Sequence, residues 1–465
     1  MLNTFKKVGP SLQILLILLL IYAVTSKNPL LTIAAVITPF ILLRLLWKED
    51  ESPFLFIASL LQWFSITIKV FYSNFQNINF ELAFDNTLKI YSSFYYSLGG
   101  LVCLSIGIHL IIKSYKLKPE KFNVLALRYD SRKIVPIYIL IALAYPVIYD
   151  RSFMFGGLQQ PISKLADFKW MVFFIFMLSC FYTKQYKLFA LIALLEILLS
   201  FTGFFSNFKD YFVVTFGGLL IIYGRELKFK QVFSLAGLAV FCIYLILIWQ
   251  YVKPEYRNYL SGGEMTQNTI RGTGESLSKL GELAEKIDRD DINAAVKTTV
   301  DRLSYIDFFS ATIDYVPRVI PHTHGRLWSD AVGRVLQPRI LFPNKKAIDD
   351  SETTRRYSGM MVAGTEQGTS ISLGYMTENY IDFGMPGMFF SLFGYGLLIG
   401  LVYKYVMTSS PDKLIGTAMI IPLFILIYLF ESALNKLIGG LLMYLLIYEL
   451  IRRFALKTFL KQIKI

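Results

Sequence analysis

Arg318, Arg326, Arg334 and Arg339 fall within 22 residues of one another, with Lys345 and Lys346 just beyond, on a backbone stiffened by Pro317, Pro321, Pro338 and Pro343. A guanidinium grips phosphate oxygens in a two-pronged fashion and stays charged at any working pH. The chemistry such a cluster offers is recognition of a phosphate or pyrophosphate; its alternative is pairing with the acids of the same segment. His322 and His324 share the stretch. A neutral imidazole serves as a general base or as a hydrogen-bond donor to a phosphate. A His-x-His pair can also hold zinc, but no further His or Cys stands nearby, so no metal and no cofactor is expected. Downstream, Glu378, Asn379 and Asp382 precede an apolar run. A carboxylate there suits a general base, and equally suits the capping of a helix N-terminus. Lys209, beside Asp210, opens another apolar run and supplies a cation from the membrane side. The glycine-punctuated stretch 359–374 has the texture of a lid.

The elements that must position these groups are read from hydropathy. Of 465 residues 55% are hydrophobic and 17% charged, with 39 Phe and 29 Tyr, and mean hydropathy is +0.50. A soluble chain carries about 25% charged residues, so a soluble enzyme, a disordered chain and a disulfide scaffold are excluded. Cys103, Cys180 and Cys242 each stand alone in an apolar run. A spanning helix needs about 20 apolar residues. Twelve runs approach this, near 11–26, 29–47, 53–72, 91–112, 134–149, 168–182, 188–203, 208–223, 231–252, 385–404, 414–431 and 437–451. The fold class expected is an all-α polytopic membrane protein of about twelve transmembrane helices with a large, partly helical extracytoplasmic loop. It divides into a bundle over 1–252, a cap over 253–384, and three more helices with a basic tail over 385–465.

Lys6, Lys7, the loop 113–133 with Lys116 and Lys118, Arg225, Lys228, Arg452 and Arg453 then all fall on one side, which the positive-inside rule makes cytoplasmic, termini included. Within the cap, 275–287 and 291–316 have helical spacing, with Asp290 or Asp291 as N-cap of the second; from Pro317 onward the pattern reads as loop. Glu196 and Glu431 lie deep in apolar runs, as functional carboxylates or as helix staples, while Lys69 reads as a snorkelling residue near a span end. The cap holds 16 Lys and Arg against 18 Asp and Glu. The net charge of +14 is thus a topology signal and not a nucleic-acid footprint.

Leu336-Gln-Pro338-Arg339-Ile-Leu-Phe-Pro343-Asn-Lys345 resembles the "PR…FP.K" element of Wzy-type O-antigen polymerases, the oligosaccharide repeat unit polymerases. Glu378-Asn-Tyr380-Ile-Asp-Phe-Gly384 with Gly387 resembles their "E.Y..FG..G" element. Lys346 stands where that family often has proline. The resemblance implies a metal-independent glycosyltransferase of GT-C-like architecture in the bacterial inner membrane. It would join undecaprenyl-pyrophosphate-linked oligosaccharide units into O-antigen or a related lipopolysaccharide-type surface polysaccharide, amid membrane lipid and with a chain-length regulator as a candidate partner. On that reading Glu378 or His324 is the base. Arg339 and Arg326, helped by Arg318, Lys345 and Lys209, bind pyrophosphate, and Tyr380, Trp328 and Tyr375 line a sugar groove. The rival readings are an O-antigen ligase, which has the same donor and a different acceptor, and a flippase or exporter of the lipid-linked unit.

Overall fold

The computed structural model describes residues 10–48, 50–84, 88–115, 120–152, 159–200, 208–223, 229–263, 270–337, 342, 345, 348–364 and 369–465. Arg339, Pro338, Pro343 and Lys346 of the first motif, and the basic residues Lys6, Lys7, Lys116, Lys118, Arg225 and Lys228, lie outside the described residues.

Each of the twelve apolar runs lies on a helix. In chain order these are α1 (Pro10–Thr25), α2 (Pro29–Leu46), α3 (Phe54–Phe75) and α4 (Ile90–Ile112). After the short α5 (Phe122–Ala126) come α6 (Ser131–Ser152), α7 (Gln159–Ala166), α8 (Lys169–Tyr182), α9 (Tyr186–Ser200), α10 (Phe208–Tyr223) and α11 (Phe229–Leu260). The cap segment carries α12 (Thr273–Glu285), α13 (Arg289–Leu303), α14 (Ile306–Tyr315), α15 (Arg326–Leu336) and α16 (Asp350–Ser358). The chain returns through α17 (Tyr375–Ser409), α18 (Lys413–Ile427) and α19 (Leu434–Leu450), and closes on α20 (Leu456–Ile463). Among the described residues six stretches are long and apolar enough to cross a membrane: Pro29–Leu46, Phe54–Phe75, Ile90–Ile112, Pro161–Tyr182, Tyr375–Ser409 and Leu434–Ile463. The described fold is all-helical, with an isolated bridge between Tyr129 and Lys464.

Packing follows residue size and charge. α4 and α17 approach through glycines: a Cβ on Gly396 would stand 2.1 Å from the Leu104 carbonyl oxygen, and one on Gly107 2.3 Å from that of Phe393. Gly396 and Gly400 form the small-xxx-small spacing that lets membrane helices touch backbone to backbone. Glu196 is fully buried and takes Lys169 Nζ at 2.5 Å and the Tyr138 hydroxyl at 2.5 Å. Of the two readings for this carboxylate, the structure supports the staple, joining α6, α8 and α9. Glu431 is not in a helix; it is exposed on the turn between α18 and α19. Lys69 does not snorkel. It is 2% exposed and reaches Asp301 and Asp307 of the cap segment, each at 3.0 Å.

The cap is more helical than its sequence texture suggests. α13 starts earlier than expected because Asp288, not Asp290 or Asp291, is the N-cap, in a reciprocal box with Asp291. The single helix expected to 316 breaks at Ser304 and Tyr305, where the Tyr305 hydroxyl donates to the Ser372 carbonyl. Two helices, α15 and α16, stand in the stretch expected as loop, because both draw stabilisation from elsewhere: α16 has Ser370 and Lys436 on its Asp350, and α15 is opened by a residue 55 positions away.

Candidate functional site

The site is built on the first turns of α17. Gly374 precedes the helix at φ 82°, and a Cβ there would meet the Phe430 carbonyl oxygen at 2.9 Å. Only glycine combines that left-handed backbone with so close an approach. The Tyr375 N–H then donates to the Ser432 carbonyl at 2.8 Å, which locks the α18–α19 turn onto α17. One turn along, Glu378 is 6% exposed, and its Oε2 accepts the Leu434 N–H at 2.5 Å. Glu378 therefore does cap a helix, but the helix is α19 and not its own. Asp382, fully buried, accepts the N–H groups of Leu327 at 3.0 Å and Trp328 at 2.9 Å and the Thr323 hydroxyl, and so closes the N-terminus of α15. Asn379 Oδ1 accepts the Trp328 indole N–H at 2.9 Å. At Gly384 (φ 59°) and Met385 the helix kinks; a Cβ on Gly384 would strike His322 Nε2 at 2.8 Å.

Between α15, α16, α17 and α19 lies a cleft of about 160 Å³, into which Glu378 faces together with Asp330, Arg334, Glu352 and Asn435. Asn435 Oδ1 is buried with no hydrogen-bond partner among the described residues. The lining is rich in acceptors, which suits a donor-rich guest such as a polyol, and it brings a carboxylate to the wall where a hydroxyl proton could be received.

A second cluster lies beyond Glu431. Lys209 of α10, Lys253 and Arg257 of α11, and Arg302 of α13 share one electrostatic neighbourhood, with Glu431 as the carboxylate common to both lysines. Lys253 is 8% exposed and makes no hydrogen bond or ion pair among the described residues. Burial first, and then the charges of Arg302, Arg257 and Lys209, push its ammonium down to about 6, against the pull of Glu431. Arg257 is pushed down to about 10 by burial and Arg302, so it keeps its charge at neutral pH. Arg302 donates to Gln250 Oε1 at 3.3 Å. Tyr305 connects the two clusters: burial, and then Glu431, Asp350 and Glu378, hold its hydroxyl well above the usual range. Three cations crowded around a buried ammonium that is unpaired among the described residues give this region the composition that suits an anion.

The expected site residues are thus redistributed. Lys209 joins the cation cluster and Glu378 the cleft. Arg318 is turned outward, bound to Asp314 at 2.6 Å, and Arg326 is exposed, 3.8 Å from Asp330. Lys345 does not reach an anion site; its ammonium donates to the last carbonyls of α15, those of Arg334 and Gln337. His324 is exposed at φ 51°, with its N–H donating to the Asp382 carbonyl at 2.9 Å. Tyr375 and Tyr380 offer no face to a sugar. Both are in the core, the first donating to Gln62 Oε1 at 2.6 Å and the second to the Val316 carbonyl at 3.2 Å. Trp328 is pinned by Asn379 and stands edge-on to Tyr395. Sequence reasoning missed Lys253, Arg257 and Arg302. The i, i+4 spacing of Lys253 and Arg257, directly after an apolar run, is the signal that points to the first two.

Fold and site together define a helical membrane protein with a cluster of cations beside its long polar segment and a carboxylate-lined cleft. The chain belongs to the family described as Domain of unknown function (DUF8712), whose model matches residues 11–465. No curated protein and no solved structure matches it.

Proposed function

We propose that the protein is a glycosyltransferase that polymerises undecaprenyl-pyrophosphate-linked oligosaccharide units, with twelve spans, both termini cytoplasmic and the cap on the outer face of a bacterial inner membrane. What carries this is the cluster of Lys209, Lys253, Arg257 and Arg302 on the cap side of an apolar bundle, with Glu378 lining a cleft beyond Glu431. Transfer from a lipid pyrophosphate needs cations where charge develops and a base at the acceptor. The acceptor hydroxyl oxygen attacks the anomeric carbon and its proton passes to the Glu378 carboxylate. The bond from that carbon to pyrophosphate oxygen breaks, and the electron pair leaves with the pyrophosphate, held by the four cations. Arg318, Arg326 and Lys345, engaged at the surface or at a helix end, are not needed for this step.

The purified protein, reconstituted with a lipid-linked repeat unit, should build a ladder of products. Lys253→Met and Glu378→Gln should each lower its yield at least about 100-fold while leaving the elution profile in detergent unchanged. A ladder of normal yield from both variants would sink the proposal. A single transfer to a separate glycolipid acceptor identifies a ligase instead, and lipid movement without transfer a flippase.

A further inference from the structure

α15 sits beside a membrane helix and runs in the same direction as it. Leu327 and Ala331 line one cleft with Leu434 and Asn435 at the start of α19. One turn further, Val335 Cγ2 lies 3.9 Å from where a Cβ on Gly439 would stand. Both proximities advance together along the two helices, so the C-terminal end of α15 travels with α19 toward the bilayer. The polar level on α19 is marked by Lys436, whose ammonium pairs with Asp350. Gly439, and with it Val335, lies about one turn deeper.

The exposed residues of α15 change character along its length. Arg326, Ser329 and Asp330 face solvent in the first half. In the second half Val332 is 44% and Leu336 73% exposed, followed by Phe342 at 47%. An isolated exposed leucine is ordinary, but two large apolar groups on the membrane-directed half of one helix, with a third six residues beyond its last residue, are not. The helix ends carry the second, independent observation. A helix leaves orphan N–H groups at its start and orphan carbonyls at its finish. In water these are hydrated, whereas near hydrocarbon they need a protein partner. Here Asp382 receives the first N–H groups, and Lys345 folds back to donate to the Arg334 and Gln337 carbonyls. A cation at that end also matches the helix dipole.

We infer that the C-terminal half of α15 is inserted into the acyl boundary of the leaflet on the cap side, with Val332, Leu336 and Phe342 against lipid tails. The occupant of this face is bilayer lipid, because the face continues the surface of a membrane-crossing helix. The cleft beneath α15 then opens at headgroup height, and a guest carried on a lipid reaches Glu378 without leaving the membrane. The insertion itself does not rest on the glycosyl-transfer reading.

The test uses Leu336→Cys, Val332→Cys and Ser329→Cys, each labelled with bimane after Cys103, Cys180 and Cys242 are changed to Ala, in nanodiscs of phosphatidylcholine and phosphatidylglycerol. All three label sites are surface positions; Cys180 is buried, so the cysteine-free parent must first show the elution profile of the native protein. Lipid brominated near the carbonyl end should quench the labels at 336 and 332 several-fold more than the label at 329, and aqueous iodide should show the reverse order. Iodide quenching at 336 equal to that at 329 overturns the inference. Protection of 336 and 332 from both quenchers also overturns it, since a protein partner would then cover the face.

Discussion

Lys253 shows how a single side chain changes meaning with its surroundings. On an exposed helix it would be one of 47 basic residues; buried among Lys209, Arg257 and Arg302 it is an ammonium held down to about 6. An ordinary lysine titrates near 10.4. At pH 7.5 the free site is therefore largely neutral at this position, and an arriving anion restores the charge. Binding of inorganic pyrophosphate should take up close to one proton between roughly pH 6 and 10. Affinity should rise as pH falls through that window and level off below about 6. Calorimetry in two buffers of different ionisation enthalpy measures the uptake. Lys253→Met should abolish it, and unchanged uptake in that variant would show that another group titrates. Glu378 was legible in the sequence as either a base or a helix cap. The structure shows that a carboxylate can cap α19 through one oxygen and still line a cleft, so the two roles do not compete.

Among the elements, α4 and α17 are the pair that holds the cap's return to the bundle. Their contact is backbone on backbone at Gly107 and Gly396, where a side chain has no room to turn. Gly396→Leu forces the helices apart and should destabilise the protein by about 1–3 kcal/mol or more, as overpacking does. Gly394→Ala, on the same helix with open space around it, should be close to neutral. Thermal unfolding of both variants in detergent reads the difference, and equal melting temperatures would mean that the close approach is not a stabilising contact. The helices of the bundle were legible because each is a local run of apolar residues. α15 and α16 were not, because α15 is short, half polar, and opened and closed by Asp382 and Lys345, neither of which lies within it.

At the scale of the whole molecule, Lys69 ties the bundle to the cap. It meets Asp301 and Asp307 at 3.0 Å, and Arg302 of the cation cluster is the next residue after Asp301. Lys69→Met should therefore loosen α13. Faster tryptic cleavage within 253–384 and weaker pyrophosphate binding should appear together. Loss of binding with an unchanged digestion pattern would instead place Lys69 in direct electrostatic reach of the anion. The sequence by itself determined the class: a polytopic helical membrane protein with one long polar segment and a basic bias between its apolar runs. Those properties are sums over neighbouring residues, and burial in lipid needs nothing else. Only the tertiary structure decided which charges act together. Lys209, Lys253, Arg257, Arg302 and Glu431 come from four separate parts of the chain, and electrostatic interaction depends on distance through space and on the water removed by packing, neither of which is written in local order.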